Sequence, residues 1–572
     1  MAVHNSDIAD QFDEIADLLE IRGANAFRVR AYRNGARALR DLPKPVAEMA
    51  EAGADLTELP GIGEDLADKI REVVTTGELS QLTELEREVP AGLVEVLGIA
   101  GLGPKRVQAL HQDLGVDDLD DLRRAAEAGR IRTLSGFGEK TEANIRRELA
   151  TRGSGERRTR LRAAEEVAEP LAETLRGVAG VETVTIAGSY RRRKETVGDL
   201  DILVTCGADS PVVERFVTHE DVRRVVSQGE TRSTVVLKND LQVDLRVVPG
   251  AADGAALHYF TGSKAHNIHV RRRGQERGLK INEYGVFRGT ERIAGASETE
   301  VYARVGLPQI PPELREDRGE IAAAEAGTLP RLITTADIRG NLHSHTTASD
   351  GHAGPREMAE AAREQGWAYL AISDHSRAVT VANGLDADRL AAQIDEVDAL
   401  NAELDGITLL KACEVDILED GSLDLPDDVL ARLDLTLCAI HSHMSLSREQ
   451  QTARVLKAMD NPNVAMLAHP TGRKIGTREP CALDVERVIA HAAETGCVLE
   501  INAQPDRLDL DDVHARMARD AGVRLAIGTD AHSPHHFAFM RHGVDQARRG
   551  WVTAGDVVNT LPVDELRRAL AR

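Results

Sequence analysis

The sequence has few of the features that mark secreted or membrane-bound proteins. Its five cysteines are scattered and form no CxxC pair, so we expect reduced, mostly buried thiols rather than disulfides. No apolar run reaches the roughly 20 residues that cross a membrane, and residues 1–4 do not begin a recognisable signal peptide. We therefore expect a cytoplasmic protein without a membrane partner.

The chain also has no excess of positive charge, because its formal net charge is −23 at pH 7. Bulk attraction to polyanions is thus excluded, and any contact with nucleic acid must come from local basic patches and backbone amides. The length of 572 residues is too great for one core, so several domains are expected. The hydrophobic content of 42% and charged content of 29% are typical of a soluble globular protein.

Glycine turns recur three times within the first 155 residues, which are otherwise helical by period and capping pattern. Each turn has two glycines around one residue and precedes a helical pattern; the pairs are Gly61 and Gly63, Gly101 and Gly103, and Gly136 and Gly138. A tight turn between helices can bring backbone N–H groups against a phosphate, helped by the positive end of the next helix. One such turn is usually a simple connection. Three favour helix-hairpin-helix modules that bind the nucleic-acid backbone without reading sequence.

Short β-rich runs replace the helical pattern from residue 181, and one of them carries Asp199 and Asp201. Residues i and i+2 of a strand face the same side, so both carboxylates project together. Such neighbours repel unless a cation lies between them, and Mg²⁺ (or Mn²⁺) takes oxygen ligands while leaving positions open for phosphate. Asp244, on a predicted neighbouring strand, adds a third carboxylate. The trio predicts a two-metal site for phosphoryl transfer.

The residues before these aspartates fit a triphosphate. Gly188 and Ser189 can donate backbone and hydroxyl hydrogen bonds, and Arg192 in the basic run 191–194 can neutralise phosphates. A lone Asp-x-Asp pattern is more often an exposed strand end with solvated charges. The Gly-Ser pair, the basic run and Asp244 together favour the metal site.

The pattern Gly188-Ser189 followed by 198–201 resembles the nucleotidyltransferase palm of family X DNA polymerases, the group that includes polymerase beta. The resemblance continues in 258–267, Arg271 and 281–284, which are similar to that family's sugar-contacting turn and thumb. It implies a nucleotide site built from Gly188, Ser189, Arg192, Gly198, Tyr259, Phe260, Gly262 and Asn267. Within this set Tyr259, Phe260 and Gly262 would hold the deoxyribose.

The same resemblance implies that Asn267 contacts the base edge and that Arg271 contacts the template DNA. The chain departs from polymerase beta at Lys264, where that protein has an acid, and at Gln242, where it has an arginine. These departures affect nucleotide affinity and primer activation rather than the type of reaction.

The N-terminal region resembles the small lyase domain of polymerase beta through 31–33 and 59–63. The resemblance places Lys69 at the position of the Schiff-base lysine and makes it a lyase candidate. Asp65, however, replaces a lysine that would help to bind a 5′-phosphate. A lysine one turn into a helix is commonly a solvated surface residue, so both interpretations stay open.

From residue 338, apolar strand-like runs alternate with helical patterns, which predicts β/α repeats. Seven runs end in polar side chains, at the end where β/α barrels place their chemistry. The metal-binding side chains are His343, His345, Asp350, His375, Glu414, His441, His469, Asp530 and His532. Histidine suits zinc, manganese or iron, and carboxylates can bridge ions. Nine ligands exceed the needs of one ion, so two or three ions are expected to activate a water for attack at phosphorus.

This pattern resembles the polymerase and histidinol phosphatase (PHP) domain, a seven-stranded β/α barrel with a trinuclear metal site. The resemblance implies three ligand sets: His343, His345, Glu414 and Asp530; Glu414, His441 and His469; and Asp350, His375 and His532. His443 lies on the same strand face as His441 and remains an alternative ligand. Arg473 is a candidate phosphate ligand.

The order of these regions resembles the bacterial and archaeal family X DNA polymerases with a C-terminal PHP domain. We expect a multidomain α/β chain. Its parts are a lyase-like helical domain with a helix-hairpin-helix motif (1–90), a fingers-like helical domain with further such motifs (91–155), an α+β palm (156–257) and thumb (258–315), a linker (316–337) and a (β/α)7 PHP barrel (338–572).

The resemblance implies a monomeric polymerase that fills short gaps in base excision repair, using deoxynucleoside triphosphates on gapped or primer-template DNA. Its PHP domain would be a 3′-5′ exonuclease, with abasic-site cleavage and 3′-phosphate removal as further activities. One alternative is a small-molecule metallophosphatase that a non-catalytic polymerase-like region tethers to DNA; another is a non-catalytic scaffold at DNA breaks. The aspartate trio argues against the first, and the nine metal-binding side chains argue against the second.

Overall fold

The computed structural model describes residues 5–42, 46–59, 61–77, 79–90, 92–97, 99, 102–134, 136–151 and 158–571. The chain divides into two compact units, Met1–Arg157 and Arg158–Arg572. Within the described ranges, every helix is too short or too polar to cross a membrane. Four of the five cysteines are buried and all are free thiols.

The first unit is helical, as the sequence predicts. Its α-helices are Asn5–Ile21, Ala26–Asp41, Val46–Glu51, Glu64–Thr76, Ser80–Glu88, Gly92–Leu97, Pro104–Leu114, Leu119–Glu127 and Glu139–Thr151. Their apolar faces share one buried cluster that includes Phe12, Ile70 and Leu110. The Phe12 and Tyr32 rings pack edge to face with centroids 5.5 Å apart.

The palm, at the start of the second unit, is a five-stranded sheet. Its strands lie in the order Val181–Ile186, Asp199–Cys206, Gln242–Val247, Arg232–Leu237 and Val222–Gln228. The pair Asp199–Cys206 and Gln242–Val247 is parallel, whereas the other neighbours are antiparallel. Its α-helices are Leu161–Arg176, Gly188–Arg191 and Val212–Val217, and the short strands Thr159–Arg160 and Thr196–Val197 form a separate pair. This arrangement brings the two strands that carry the aspartates side by side at the centre of the sheet.

The thumb combines helices with a three-stranded antiparallel sheet. Its α-helices are Asp253–Thr261, Lys264–Glu276 and Glu298–Arg304, and its strands are Lys280–Asn282, Gly285–Arg288 and Glu291–Ala294. The segment 316–337, which the sequence predicts to be a linker, contains the helix Glu320–Ala326. Ile321 of this helix is buried in the same apolar cluster as Tyr302. The segment is therefore packed against the thumb.

The C-terminal region is the predicted barrel of seven parallel strands. In sequence and in space their order is Gly340–Asn341, Tyr369–Ile372, Thr408–Asp416, Leu435–Ala439, Val464–Leu467, Val498–Asn502 and Leu525–Gly528. A parallel bridge between Ser344 and Ala531 joins the first strand region to the last. The α-helices are Pro355–Glu364, Ala387–Glu403, Asp427–Leu430, Arg448–Met459, Val485–Thr495, Asp512–Asp520, Met540–Arg549 and Val563–Leu570.

The barrel strands read as continuous apolar runs because both of their faces are buried. One apolar cluster, which includes Leu437 and Met466, contains side chains from most of the strands, and another, which includes Leu499 and Val488, joins strands to helices. The polar residues at the carboxyl ends of the strands consequently meet at one end of the barrel.

Candidate active sites of the palm and the barrel

The three palm carboxylates converge on one edge of the central strand pair. Asp201 lies directly opposite Asp244 in the parallel register, and Asp199 lies two residues before Asp201 on the same strand. Burial and the charge of Asp199 raise the pKa of Asp201 to about 6. Burial and the charge of Asp244 also raise the pKa of Asp199. This mutual repulsion is what a divalent cation would relieve, so the trio fits a metal site of oxygen ligands.

Cationic and hydroxyl groups flank this trio. The Arg246 guanidinium lies 3.8 Å from Asp201 Oδ1 and 3.7 Å from Asp244 Oδ2. The Thr234 hydroxyl donates to Asp244 Oδ1. Arg246 also lies over the Phe260 ring, 4.1 Å from its centroid, and so connects the carboxylates to the predicted sugar turn.

Backbone conformation and the closeness of Asp201 both favour glycine at the first position of the Gly-Ser pair. Gly188 has φ of +64°, and a Cβ there would come within 3.1 Å of Asp201 Oδ2. A side chain would therefore be strained and would also crowd the carboxylate. The close approach places Gly188 and Ser189 beside the predicted metal ligands, while their contacts with a nucleotide stay a prediction.

The three arginines of the basic run are bonded to carboxylates in this structure. Arg191 pairs with Glu298 at 2.8 Å. Arg192 pairs with Glu316 at 3.0 Å and donates to the Thr261 carbonyl at 2.8 Å. A role for Arg192 in phosphate binding stays a prediction, and it would require a change of partner from Glu316 to the nucleotide.

Tyr259 and Phe260, predicted to lie in a sugar-contacting turn, instead lie in the last turn of the helix Asp253–Thr261, and Gly262 caps its end. The Tyr259 and Phe260 rings are nearly perpendicular, with centroids 5.0 Å apart. Asn267 Nδ2 donates to the Tyr259 carbonyl at 2.6 Å, and a Cβ on Gly262 would lie 2.5 Å from Asn267 Oδ1. Arg271 Nε donates to the Asn267 carbonyl at 3.3 Å. These bonds fix the end of the helix, and the nucleotide and template contacts of these residues stay predictions.

The barrel brings all nine predicted metal-binding side chains together. Four groups have ligand atoms within 4.8 Å of one another: His345, Asp350, His375 and His532; His343, His469 and Asp530; His343, His345 and Glu414; and His375, Glu414 and His441. Glu414 belongs to two groups, as a bridging carboxylate would. His469 Nε2 also lies 2.7 Å from Glu414 Oε1. His443 is exposed and lies outside these groups.

Buried atoms without hydrogen-bond partners point to a metal in this cluster. Within the described part of the chain they include His343 Nε2, His345 Nδ1 and His469 Nδ1. Unpaired buried polar atoms are costly, so such a concentration is expected where an ion completes the bonding. Burial alone would lower the pKa of His441, but Glu414 and Asp416 outweigh it and raise that pKa to about 9. The same negative charge would attract cations.

Two carboxylates that the sequence analysis did not assign orient the histidines. Glu500 Oε1 lies 2.8 Å from His343 Nδ1, and Asp416 Oδ1 lies 3.0 Å from His441 Nδ1. Carboxylates behind metal-binding histidines fix the ring orientation and raise basicity. Asp416 is two residues after Glu414 on one strand. This spacing places both side chains on the same face, and it was the sequence signal that could have identified Asp416. Glu500 lies inside a predicted strand, and nothing in its sequence position indicated that it contacts a metal-binding histidine.

A cavity of about 310 Å³ opens on this cluster. Besides the predicted ligands it is lined by Lys474, Gln504, Arg507 and His536, which the sequence analysis missed. Arg507 Nε lies 3.6 Å from Asp530 Oδ2. Lys474 pairs with Asp506, which also lines the cavity, at 3.3 Å. The two cations would suit a phosphate-bearing substrate that takes the place of these carboxylate partners. Arg473, the predicted phosphate ligand, instead donates to Glu195 at 2.6 Å and to the Leu508 carbonyl, so its role stays a prediction.

The glycine turns of the first unit lie immediately before helices. Gly63 and Gly103 precede the first residues of Glu64–Thr76 and Pro104–Leu114, and Gly138 precedes Glu139–Thr151. Gly61 and Gly136 have φ of +86° and +82°, a region that favours glycine. Among the described residues, a Cβ on Gly63, Gly103, Gly136 or Gly138 would meet nothing within 4 Å. Gly101 lies outside the described residues, and DNA contacts at the turns stay a prediction.

Lys69 is not a solvated surface lysine, since its side chain is 14% exposed and its ammonium pairs with Asp65. It lies 6.0 Å from the centre of the Tyr32 ring. Burial acts to lower the pKa of Lys69, but Asp65 and Tyr32 outweigh it and the net shift is upward. A Schiff base needs the neutral amine, so this pairing opposes lyase chemistry in the unbound protein.

The palm trio and the barrel cluster define a class of protein, a nucleotidyltransferase joined to a metal-dependent phosphoesterase. Family models match along the chain: a helix-hairpin-helix domain (3–79), a SAM-like helix-hairpin-helix tandem (93–151), the DNA polymerase beta palm (161–253), the DNA polymerase beta thumb (256–316) and the PHP domain (341–471). The chain is 39% identical over 574 residues to the DNA polymerase/3′-5′ exonuclease PolX of Bacillus subtilis (strain 168), covering 100% of both chains. It belongs to the family X DNA polymerases that carry a PHP domain.

Two further relatives match separate parts of the chain. DNA polymerase lambda of Rattus norvegicus is 25% identical over 343 residues, which are 55% of this chain and 56% of that protein. A probable phosphatase of Thermoanaerobacter sp. (strain X514) is 29% identical over 232 residues, which are 38% of this chain and 89% of that protein.

Proposed function

We propose that this protein is a DNA-directed DNA polymerase that fills short gaps in base excision repair and that its barrel is a metal-dependent 3′-5′ exonuclease. One observation carries the proposal: a single compact unit contains both the register-paired carboxylates Asp201 and Asp244 and a separate cluster of nine metal-binding side chains. The full-length similarity to PolX supports the pairing of these two activities.

In the palm, Asp199, Asp201 and Asp244 would hold Mg²⁺ or Mn²⁺. When bound, these ions supply charge stabilisation and activation of the attacking oxygen in nucleotidyl transfer. The chain's own residues would position the substrates: Gly188, which lies against Asp201, and the adjacent Ser189 would donate to the triphosphate. Tyr259 and Phe260, at the end of the helix Asp253–Thr261 where the Asn267 amide bonds the Tyr259 carbonyl, would contact the deoxyribose.

In the barrel, the nine-residue cluster would hold two or three zinc, manganese or iron ions. Bound ions of this type lower the pKa of a water and so provide a nucleophile for phosphodiesters. Lys474 and Arg507 line the same cavity and would bind the phosphate of the terminal nucleotide. Glu500 and Asp416 would hold His343 and His441 in the ligating orientation. Abasic-site cleavage and 3′-phosphate removal would need the same groups. We propose both reactions as further activities of this site.

A small-molecule metallophosphatase is the second candidate, favoured by the probable phosphatase relatives. Their similarity covers 38% of this chain in one such relative and 34% in another. Such a function would leave the converging carboxylates of the palm without a role. We also propose a monomer that acts in the cytoplasm and has no membrane partner. The reduced cysteines support this location.

The test is a single gapped DNA substrate with a labelled primer, incubated with and without deoxynucleoside triphosphates, together with metal analysis of the protein. The proposal expects primer extension with nucleotides, primer shortening without them, and transition metal bound to the chain. A protein that hydrolyses small phosphate esters but neither extends nor shortens the primer would favour the second candidate.

A further inference from the structure

A second polar cavity, of about 310 Å³, lies where the palm meets the barrel. Four cations line it, Arg158 and Lys194 of the palm and Arg473 and Arg549 of the barrel. The Asp199–Asp244 trio and the barrel metal ligands are not among its lining residues, so it is separate from both predicted active sites.

Two of the four cations are already neutralised. Arg473 pairs with Glu195 at 2.6 Å, and Arg549 pairs with Asp512 at the same distance. The remaining acid that lines the cavity, Asp511, accepts from the backbone N–H of His514 at 2.8 Å, and its other oxygen lies 2.9 Å from His514 Nδ1. The acids of the cavity are thus engaged with these partners.

The other two cations, Lys194 and Arg158, form no ion pair with a carboxylate of the described residues. Within the described ranges, the Lys194 ammonium makes no hydrogen bond and no ion pair within 4 Å, and Arg158 donates to Thr196 Oγ1 and to the Thr196 carbonyl, both at 2.9 Å. Burial lowers the pKa of Lys194, although Glu316 and Asp512 act at longer range to raise it. A desolvated cation without a partner is costly and is expected where an anion completes the site.

We propose that this cavity binds a small phosphate-bearing anion, with Lys194 and Arg158 as the cations that pair with it. The volume is at the lower end of ligand cavities, which suits phosphate, pyrophosphate or a terminal 5′-phosphate better than a whole nucleotide triphosphate. The occupant would also join the palm to the barrel, because its ligands come from both. The proposal does not depend on the chemistry of either active site.

The test is calorimetric titration of the full chain, as purified and without added Mg²⁺, with pyrophosphate. Wild type is compared with Lys194→Met and Arg158→Gln. The matched controls are Lys238→Met, an exposed palm lysine, and Lys474→Met, which removes a cation from the barrel cavity. Melting temperatures check that each variant is folded. Lys194→Met removes an unpaired charge and should not lower the melting temperature.

The expected result is a class of binding sites whose affinity falls at least about tenfold in Lys194→Met and Arg158→Gln, because each loses a charge-assisted bond. Both control variants should bind pyrophosphate at these sites with the wild-type affinity. Titration with a trinucleotide with and without a 5′-phosphate distinguishes the sources: a preference for the phosphorylated form that Lys194→Met removes would assign the site to a DNA end. Wild-type titrations without saturable binding, or an equal loss in Lys474→Met, would overturn the proposal.

Discussion

The Arg193 guanidinium of the palm donates to the Asp545 carboxylate of the barrel helix Met540–Arg549 at 2.7 Å. Arg193 donates to Asp545 through Nε, and its Nη2 donates to Glu165 Oε1 at 2.6 Å. Arg193 therefore occupies the junction of palm and barrel with two carboxylates, and its pKa is raised by them despite burial. The basic run that the sequence assigned to phosphate binding is thus also a structural connection between the domains.

Arg193→Met should lower the free energy of unfolding of this unit by about 3 kcal/mol, because it leaves Asp545 without its cation and Glu165 with Arg541 as its remaining arginine partner. Thermal and urea unfolding measure the change. Arg272→Met is the matched control, since Arg272 is 78% exposed and pairs with Glu276 one turn away; its cost should be below about 0.5 kcal/mol. Equal effects of the two substitutions would contradict the structural role of Arg193.

Asp201→Asn should stabilise the metal-free protein at pH 7.5 by about 2 kcal/mol. The pKa of Asp201 is about 6 in the folded chain, above its ordinary value of 3.8. Stability from protonation is therefore present below about pH 4 and lost as the pH rises through 6. The benefit of the amide should disappear near pH 4. Melting temperatures in chelator measure it, with exposed Asp209→Asn as the control. A benefit independent of pH would rule out carboxylate repulsion as the cause.

Asp65→Asn should increase Schiff-base formation at Lys69. Asp65 forms an ion pair with the Lys69 ammonium and raises its pKa, so its removal leaves more neutral amine at pH 7.5. Borohydride trapping on DNA with a 5′-deoxyribose phosphate measures the adduct, and Lys69→Ala is the control. Trapping that is unchanged in Lys69→Ala would mean that another amine reacts.

Prolonged chelation at mildly acidic pH should remove the barrel metals. Imidazole binds metal only when neutral, so the cluster should weaken as the pH falls through the histidine range, about 6.5 when unperturbed. Metal analysis before and after dialysis measures the loss. The stripped protein should extend a primer with Mg²⁺ alone, because the palm offers carboxylates. Its nuclease activity should return only with a transition metal, and full recovery with Mg²⁺ alone would contradict the ligand preference.

Much of the fold was predictable because its signals are local. Strand periodicity placed Asp199 and Asp201 on one face, and the histidines mark the strand ends at which barrels place their ligands. The register that sets Asp244 opposite Asp201 follows from the parallel pairing of two strands that a third and a fourth strand separate in sequence. The sequence predicted the neighbourhood of these residues but not the pairing.

The carboxylate partners of the arginines could not be predicted from the sequence, because they are set by the packing of residues that are far apart in the chain. Arg192 meets Glu316, which is 124 residues away, and Arg473 meets Glu195, which is 278 residues away. The composition of the segment 316–337 is typical of a linker, yet Ile321 in this segment packs against the thumb. Gly101 lies outside the described residues, so the second glycine turn is described only in part.

The central claim is that the palm extends DNA and the barrel degrades it, at two separate sites. The measurement that tests it most directly compares Asp201→Ala and His343→Ala on one gapped substrate, with and without nucleotides. We predict that Asp201→Ala loses extension and keeps 3′-end degradation, since it removes only a palm metal ligand, and that His343→Ala does the reverse. Extension at a near wild-type rate in Asp201→Ala, or degradation that persists in His343→Ala after contaminating nucleases are removed, would contradict the account.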